Sequence, residues 1–456
     1  MTKERECAMN LMKIYNRLPA WAQTMAVSLE GWRIRKRRYD ELFETRYQDF
    51  MSRNGWSYEQ KCAYRDSQLQ KMVKHCYETV PYYRNLFDSL NIDYRDIQTL
   101  DDLKLLPILD KKTIREHYEE FFSESYDRSA LIEQHTSGST GTGFSFYQNR
   151  EAHADVWAHV WRGNHNIGLD REMWCAYFGG RAIVPPEKKS GSCYRINYPG
   201  KQIMFSIYHT GDQCFSQWVK VLNKYQPPWI QGYPSVLVPF ASYLERTNQR
   251  LNYVPKVITL SSENVSWAQE NLLHRIFGVY PMQNYAQSEA VATFRQRLDR
   301  RIFVDEDFAA VEFIPVDDTG LCRVVGTTLS NYAMPFLRYD TKDLAVWRLT
   351  PVGREILSLD GRDEDDIKLP DGGSIRRLSR VFQDQLHIVE AQIIQKSLDE
   401  VQFHVVKSPD YTAEDEQRLE QAIGSYLTDR IGWKIIYVDQ LRRNKNGKVK
   451  FIISEL

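Results

Sequence analysis

Between residues 229 and 285 the chain alternates strand-like and helix-like runs at a spacing that leaves few folds open. Trp229-Ile230-Gln231-Gly232 leads through Tyr233-Pro234-Ser235 into a helical run ending near Glu245. Val257-Ile258-Thr259-Leu260 reads as a strand, residues 267–277 as a helix and residues 280–285 as the next strand. Strands separated by helical crossovers cannot close as tight hairpins, so this order predicts parallel pairing with ligands at the carboxyl ends of the strands. From Ala310 onward the runs shorten and hairpin turns appear, such as Asp317-Asp318-Thr319-Gly320. The expected fold class is α/β, with mixed and parallel sheets in a large N-terminal domain.

The flanks differ in texture. Residues 1–125 read as a mainly helical lead-in, with a long periodic stretch over residues 58–80 broken at Pro81-Tyr82-Tyr83. Leu106-Pro107-Ile108-Leu109-Asp110-Lys111 enters another helix, capped at Asp110. Near the other end, Gly361-Arg362-Asp363-Glu364-Asp365-Asp366 is a dense polar segment, and residues 373–456 read as strand, strand, helix over 412–428, strand, strand. The boundary falls there: residues 1–362 form the large domain and residues 363–456 a small, mobile α+β lid, with the charged linker as its hinge.

Composition removes several classes of function. Lys plus Arg and Asp plus Glu both number 60, so no global field favours nucleic acid or an anionic membrane. The seven cysteines are scattered and never in CxxC spacing, which argues against a zinc ribbon or a disulfide framework and fits a reducing cytoplasm. No apolar run approaches a membrane span, and residues 1–7 are charged, unlike a signal peptide. Residues 9–28 are amphipathic and Arg33-Ile34-Arg35-Lys36-Arg37-Arg38 is basic, so membrane association is at most peripheral; a solvated helix end is the plainer reading.

The densest chemical signal is Gln134-His135-Thr136-Ser137-Gly138-Ser139-Thr140-Gly141-Thr142-Gly143, with three glycines and five hydroxyls in ten residues. Glycine lets backbone N–H groups approach an anion, and Ser and Thr add rotatable donors, so the loop suits a phosphate chain. It is not a Walker A loop, because no Lys follows Gly143 and Phe144-Ser145-Phe146-Tyr147 continues as a strand. It does not spell GxGxxG either. Downstream come Asn284-Tyr285-Ala286-Gln287-Ser288-Glu289, then Arg338-Tyr339-Asp340-Thr341-Lys342-Asp343, then Arg362, and last Asn444-Lys445-Asn446-Gly447-Lys448. Each alone is an ordinary polar turn; their order is the informative part.

In that order the segments resemble the signature motifs of the adenylate-forming superfamily of acyl-CoA synthetases, peptide-synthetase adenylation domains and luciferases. The resemblance spans nearly the whole chain and is greatest to the phenylacetate–CoA ligase branch, including the CapK type and coenzyme F390 synthetase. Val80-Pro81-Tyr82-Tyr83-Arg84, Gly232-Tyr233-Pro234-Ser235 and Ser261-Ser262-Glu263 also look like hallmarks of that branch. The resemblance implies that Thr136, Ser137, Gly138, Ser139, Thr140 and Gly141 hold the ATP phosphates. Ser262, Glu263, Asn284 and Tyr285 would pack on adenine, Ser288 would meet the α-phosphate, and Glu289 would bind Mg2+. Asp343 and Arg362 would take the ribose, Glu364 would be the hinge and Lys448 the catalytic cation. The chain departs from the family pattern at Gly143 and Phe144, where Pro and often Lys are usual, and at Ser262, Ala286 and Lys342, where Gly is usual.

The implied reaction is attack of a small carboxylic acid on ATP to give an acyl-adenylate and pyrophosphate. The acyl group then passes to a thiol, from CoA or a carrier, or to an amine, in surface-polysaccharide tailoring on the CapK resemblance. Two other readings stand beside it: adenylyl transfer to a substrate hydroxyl, and a degenerate protein that binds nucleotide without turnover. The acid and acceptor pockets are expected among residues 145–235, including Tyr147, Trp157, Trp161, Tyr177, Phe178, Tyr208 and Tyr233. His135 and His209 are expected to be structural.

Overall fold

The computed structural model describes residues 12–135, 144–185, 188, 190–316, 318, 320–362, 367–370, 373–375, 378–382, 385, 387–408, 410–427, 431–443 and 449–456. The chain divides into two compact units, one of residues 38–168 and 283–364, the other of residues 1–37, 169–282 and 365–456.

In the first unit, Ser57 starts the helix Tyr58–Thr79 with a capping box, its hydroxyl accepting from Gln60 N while the Gln60 side chain accepts from Ser57 N. Pro81 does more than end that helix. It opens the next one, Pro81–Leu90, at the first helical position, where its missing N–H leaves no bond unmade. Asp110 caps Lys111–Glu116 by accepting from Thr113 N.

The strands of this unit run in the order Ala309–Pro315, Leu321–Thr328, Tyr339–Thr350, Gly353–Arg362, Ile302–Val304, Thr293–Gln296 and Pro281–Ala286. All neighbours pair antiparallel, as the hairpin-rich texture after Ala310 predicts. Separately, Ile132–His135 pairs antiparallel with Ser145–Gln148, from Ile132 opposite Gln148 to His135 opposite Ser145. That hairpin frames residues 136–143, which lie outside the described residues.

A buried ionic network ties the helices of this unit to its sheet. Asp307 accepts from Arg53 Nε at 2.8 Å and from Arg162 Nη2 at 3.0 Å. Glu306 accepts from Arg65 Nη1 at 2.9 Å and from Arg354 Nε at 2.6 Å. Asp305 sits 2.9 Å from His159 Nε2. Burial holds the His159 imidazole down at about 4, so the ring is neutral at physiological pH despite its acidic partner.

In the second unit, Val257–Ser261, Trp229–Gly232, Cys175–Phe178 and Gln202–Phe205 lie parallel in that order, with Tyr194–Asn197 antiparallel at the edge. The helices Asp212–Tyr225, Pro234–Arg246 and Trp267–Phe277 alternate with these strands. Phe178, expected at a pocket, is instead core: it is fully buried and stacks on Phe205 with ring centroids 4.3 Å apart. The C-terminal layer orders Gly432–Tyr437, Glu400–Lys407, Ile388–Ser397 and Ile452–Ser454, with parallel outer pairs around an antiparallel centre. Leu419, Ile423 and Leu427 recur every four residues on Ala413–Leu427 and bury that helix face in the layer's core.

One sequence expectation fails here. Cys193 and Cys214 form a disulfide, although the scattered cysteines argued against a disulfide framework. Cys193 precedes an edge strand and Cys214 sits in the first turn of Asp212–Tyr225, and the fold brings their Cα atoms to 5.7 Å. That separation suits a bridge, and it is set by tertiary packing rather than by any readable spacing.

Candidate active site

The turn after Pro281–Ala286 carries the residues expected at the α-phosphate and the metal. Ala290 N donates to Gln287 O at 3.1 Å, closing a turn that leaves Ser288 exposed and Glu289 buried. Tyr339 OH donates to Glu289 Oε1 at 2.9 Å, fixing the carboxylate. Among the described residues no three His, Cys, Asp or Glu side chains gather into a metal cage. A single oriented carboxylate nevertheless suits Mg2+, which takes one or two carboxylates and completes its shell with phosphate oxygens and water.

Tyr285 and Asp343 meet directly: the phenol donates to Asp343 Oδ2 at 2.7 Å. Gln287 Nε2 donates to the same carboxylate oxygen at 2.6 Å and to Tyr285 OH at 2.7 Å. Burial, followed by the Asp343 charge, raises the Tyr285 phenol well above its ordinary value, so it stays a proton donor. Its ring stacks on Phe294 at 4.6 Å, and Asn284 lies beside it on the strand opposite Arg295. Asp343 is opposite Arg362 in the backbone register of Tyr339–Thr350 and Gly353–Arg362, so the two expected ribose residues are cross-strand neighbours. The Arg362 side chain lies outside what is described. Gln287 and Tyr339 were not among the expected site residues, although both sit inside the quoted motifs.

The departures from family glycines have a backbone reading. Ser262 has φ +69° and Lys342 has φ +64°, so both keep the left-handed conformation that a glycine adopts freely. Each costs about 1 kcal/mol relative to glycine. Ala286 ends a regular strand and carries no such cost.

Ser262 and Glu263 follow the carboxyl end of Val257–Ser261. Glu263 accepts from Ser235 N at 2.9 Å and from Ser235 Oγ at 2.8 Å, capping the first turn of Pro234–Arg246 where exposed N–H groups favour an anion. Arg443 Nη1 donates to Ser235 Oγ at 3.0 Å, and its Nη2 lies 3.6 Å from the buried Glu390. Burial pushes the Glu390 carboxyl up to about 7, a shift that Arg443 opposes and Glu263 reinforces. A raised carboxyl favours the protonated folded state. Its contribution is complete below the ordinary carboxyl range and is lost as pH rises through about 7. Glu390→Gln, neutral throughout, is therefore expected to flatten the fall in melting temperature between about pH 5 and pH 8, measured by calorimetry.

Lys448 lies in residues 444–448, outside the described residues, as do Glu364 and Thr136, Ser137, Gly138, Ser139, Thr140 and Gly141. The feet of the Lys448 segment are described. Arg443 and Val449 form an antiparallel bridge. The buried Gln392 donates to Arg442 O at 3.0 Å and to Lys450 O at 2.8 Å, and accepts from Arg442 N at 3.1 Å. One amide thus ties together the described residues on either side of the Lys448 segment. A polar residue with no exposure in mid-strand is the only signal that points to it.

Both histidines have local polar partners. His135 Nδ1 lies 2.9 Å from Ser145 Oγ across the hairpin. His209 lies between Ser206 Oγ at 2.7 Å and Lys188 O at 2.9 Å. Of the aromatics expected at pockets, Trp161 Nε1 donates to Tyr39 OH and Tyr147 packs on Phe122. Tyr233 OH accepts from Gly180 N at 3.2 Å.

Known proteins are similar to this chain in sequence and fold. Residues 368–455 match the family model of the CapK C-terminal domain. Protein CapK of Staphylococcus aureus is 22% identical over 97% of this chain and 99% of its own length. Phenylacetate-coenzyme A ligase of Escherichia coli (strain K12) is 25% identical over 66% of this chain and 71% of its own. Among solved structures, 2-hydroxyisobutyryl-CoA ligase in the postadenylation state with 2-HIB-AMP shares the fold, with a TM-score of 0.66 at 14% identity over 86% of this chain and 89% of that one. No helix among the described residues is long and apolar enough to cross a membrane. The chain is a full-length CapK homologue with phenylacetate-coenzyme A ligases among its relatives and the fold of an adenylate-forming CoA ligase.

Proposed function

We propose that the protein uses ATP to activate a small carboxylic acid as its acyl-adenylate, then passes the acyl group to the thiol of CoA or a carrier, or to an amine. The observation that carries this reading is the Tyr285–Gln287–Asp343 constellation one turn from a buried, oriented Glu289. Tyr285 and Gln287 hold a carboxylate where two ribose hydroxyls would donate to it. Ser288 would contact the α-phosphate and Glu289 would hold Mg2+, which when bound neutralises phosphate charge as pyrophosphate leaves. Thr136, Ser137, Gly138, Ser139, Thr140 and Gly141 would grip the departing phosphates. Ser262, Glu263, Asn284 and Tyr285 would flank the base, and Arg362 would join Asp343 on the ribose.

Carboxylate attack at the α-phosphorus forms a C–O–P bond and breaks the bond to the pyrophosphate oxygen. Two anions approach each other, and Lys448 would offset that repulsion. Residues 363–456 would act as a lid turning about Glu364 between the two half-reactions. Relatives named phenylacetate-coenzyme A ligase support an acid substrate, and the context we propose is surface-polysaccharide tailoring in the cytoplasm.

The test is pyrophosphate release over a panel of aromatic, hydroxy, amino and sugar acids, with mass spectrometry of products with and without CoA. Acid-dependent release with an acyl-AMP mass is the expected result. A stable AMP adduct on a hydroxyl, or ATP binding with no release for any acid, would overturn it. Asp343→Asn keeps the shape but loses the charge that receives the ribose hydroxyls. The KM for ATP is expected to rise roughly 10- to 100-fold with little change in melting temperature, because a hydrogen bond to a charged group contributes about 1.5–3 kcal/mol.

A further inference from the structure

The helix Ala20–Arg38 is fastened to the second unit along one side only. Gln23 is fully buried, accepts from Arg195 Nε at 2.9 Å and donates to Tyr15 O at 2.8 Å. Ser28 Oγ donates to Ile196 O at 3.0 Å, and Arg35 Nη1 donates to Pro199 O at 2.9 Å while its guanidinium pairs with Glu172. Gly31 is so close to Asn197 that a Cβ there would fall 1.9 Å from the Asn197 side chain. The helix is therefore held flat, and its outer face cannot turn inward without breaking these bonds.

That outer face is apolar. Trp21, Met25, Leu29 and Trp32 are 67, 63, 52 and 52% exposed. Steps of four, four and three residues put them on one stripe, about 16 Å long at the helical rise. Lys36 continues the stripe, with its ammonium 5.6 Å from the Trp32 ring. Arg33 and Arg37 are exposed on the adjoining flank, and the sole acid there, Glu30, lies 3.8 Å from Arg33. A chain with equal numbers of acidic and basic residues overall thus sets a cationic cluster against two exposed tryptophans.

We propose that this stripe is a peripheral docking surface for an anionic lipid bilayer, with the protein lying on the membrane along Ala20–Arg38. Indole rings settle at the boundary between headgroup and acyl chain, because their apolar bodies leave water while the N–H stays hydrated. Lys36, Arg33 and Arg37 would reach anionic headgroups beside them. The charge complementarity selects a membrane over a protein groove: the basic residues adjoin the apolar stripe, as an anionic interface with a hydrophobic layer beneath requires.

The test is co-sedimentation of the full chain with phosphatidylcholine vesicles, and with vesicles in which about a quarter of the lipid is phosphatidylglycerol. Binding to the anionic vesicles, weakened by salt, is expected. The double variant Trp21→Ser/Trp32→Ser should reduce partitioning roughly tenfold or more, and Arg33→Glu/Arg37→Glu should remove the preference for anionic lipid. All four positions are exposed, so both variants should melt as wild type and retain pyrophosphate release. Three results would overturn the proposal: wild type remaining in the supernatant with both vesicles, binding indifferent to the tryptophans, or a wild-type dimer in light scattering that Trp21→Ser/Trp32→Ser converts to monomer.

Discussion

Lys448→Ala is expected to slow acid-dependent pyrophosphate release by about two to three orders of magnitude while ATP binding changes little. The argument is electrostatic. Two anions close to bonding distance as the acyl-adenylate forms, and a fixed cation is worth most at that moment and little in the ground state. The loss should therefore appear in kcat, and in the second half-reaction a supplied acyl-adenylate should still be consumed. Lys445→Ala and Lys450→Ala are the internal controls, expected to stay near the wild-type rate. A Lys448→Ala protein that forms adenylate at the wild-type rate would remove Lys448 from the reaction.

Asp307→Ala is expected to lower stability by about 3–5 kcal/mol, read from the denaturant midpoint or melting temperature. Arg53 and Arg162 are 1% and 4% exposed, and both donate to this carboxylate. Removing it leaves Arg53 only its pairing with Asp49 and Arg162 only Asp305 at 3.9 Å, with both guanidinium groups still out of water. That costs far more than breaking a surface pair and is a large part of a typical domain's net stability. If the alanine variant does not accumulate, Asp307→Asn provides the same reading more mildly, because it keeps an acceptor for one arginine. The pH dependence is a second signature. Burial alone would raise the Asp307 carboxyl, but Arg162 and Arg53 outweigh it and hold the group at about 2. Its contribution is therefore present above the ordinary aspartate range and lost as pH falls toward about 2.

Local signals were legible where they do not depend on distant residues. Trp267–Phe277 announces itself through its apolar period, with a capping box from Ser266 to Gln269 at one end and Gly278 at φ +81° at the other. The parallel pairing of Trp229–Gly232 with Val257–Ser261 follows from the crossover helix between them. The order of the motifs pointed to Asp343 and Glu289. Their partners were not visible, since Tyr339 reaches Glu289 across 50 residues and Tyr285 reaches Asp343 across 58. The Ser235–Glu263–Arg443 cluster was equally hidden, because Arg443 comes from 208 residues away. Phe178 shows the converse: an aromatic near a motif says nothing about whether it lines a cavity or fills the core.

The Gln392 clamp at the feet of the Lys448 segment has a consequence for how the protein answers its surroundings. Gln392 uses both amide hydrogens on the carbonyls of Arg442 and Lys450, and its oxygen on Arg442 N. A carboxylate or an imidazole in that place would make these contacts depend on a proton and on screening by salt. A primary amide exchanges no proton in the physiological range and carries no net charge. Gln392 thus adds no titrating group to the feet of the Lys448 segment, and the acidity-sensitive group beside those feet is Glu390, pushed up to about 7 and 3.6 Å from Arg443.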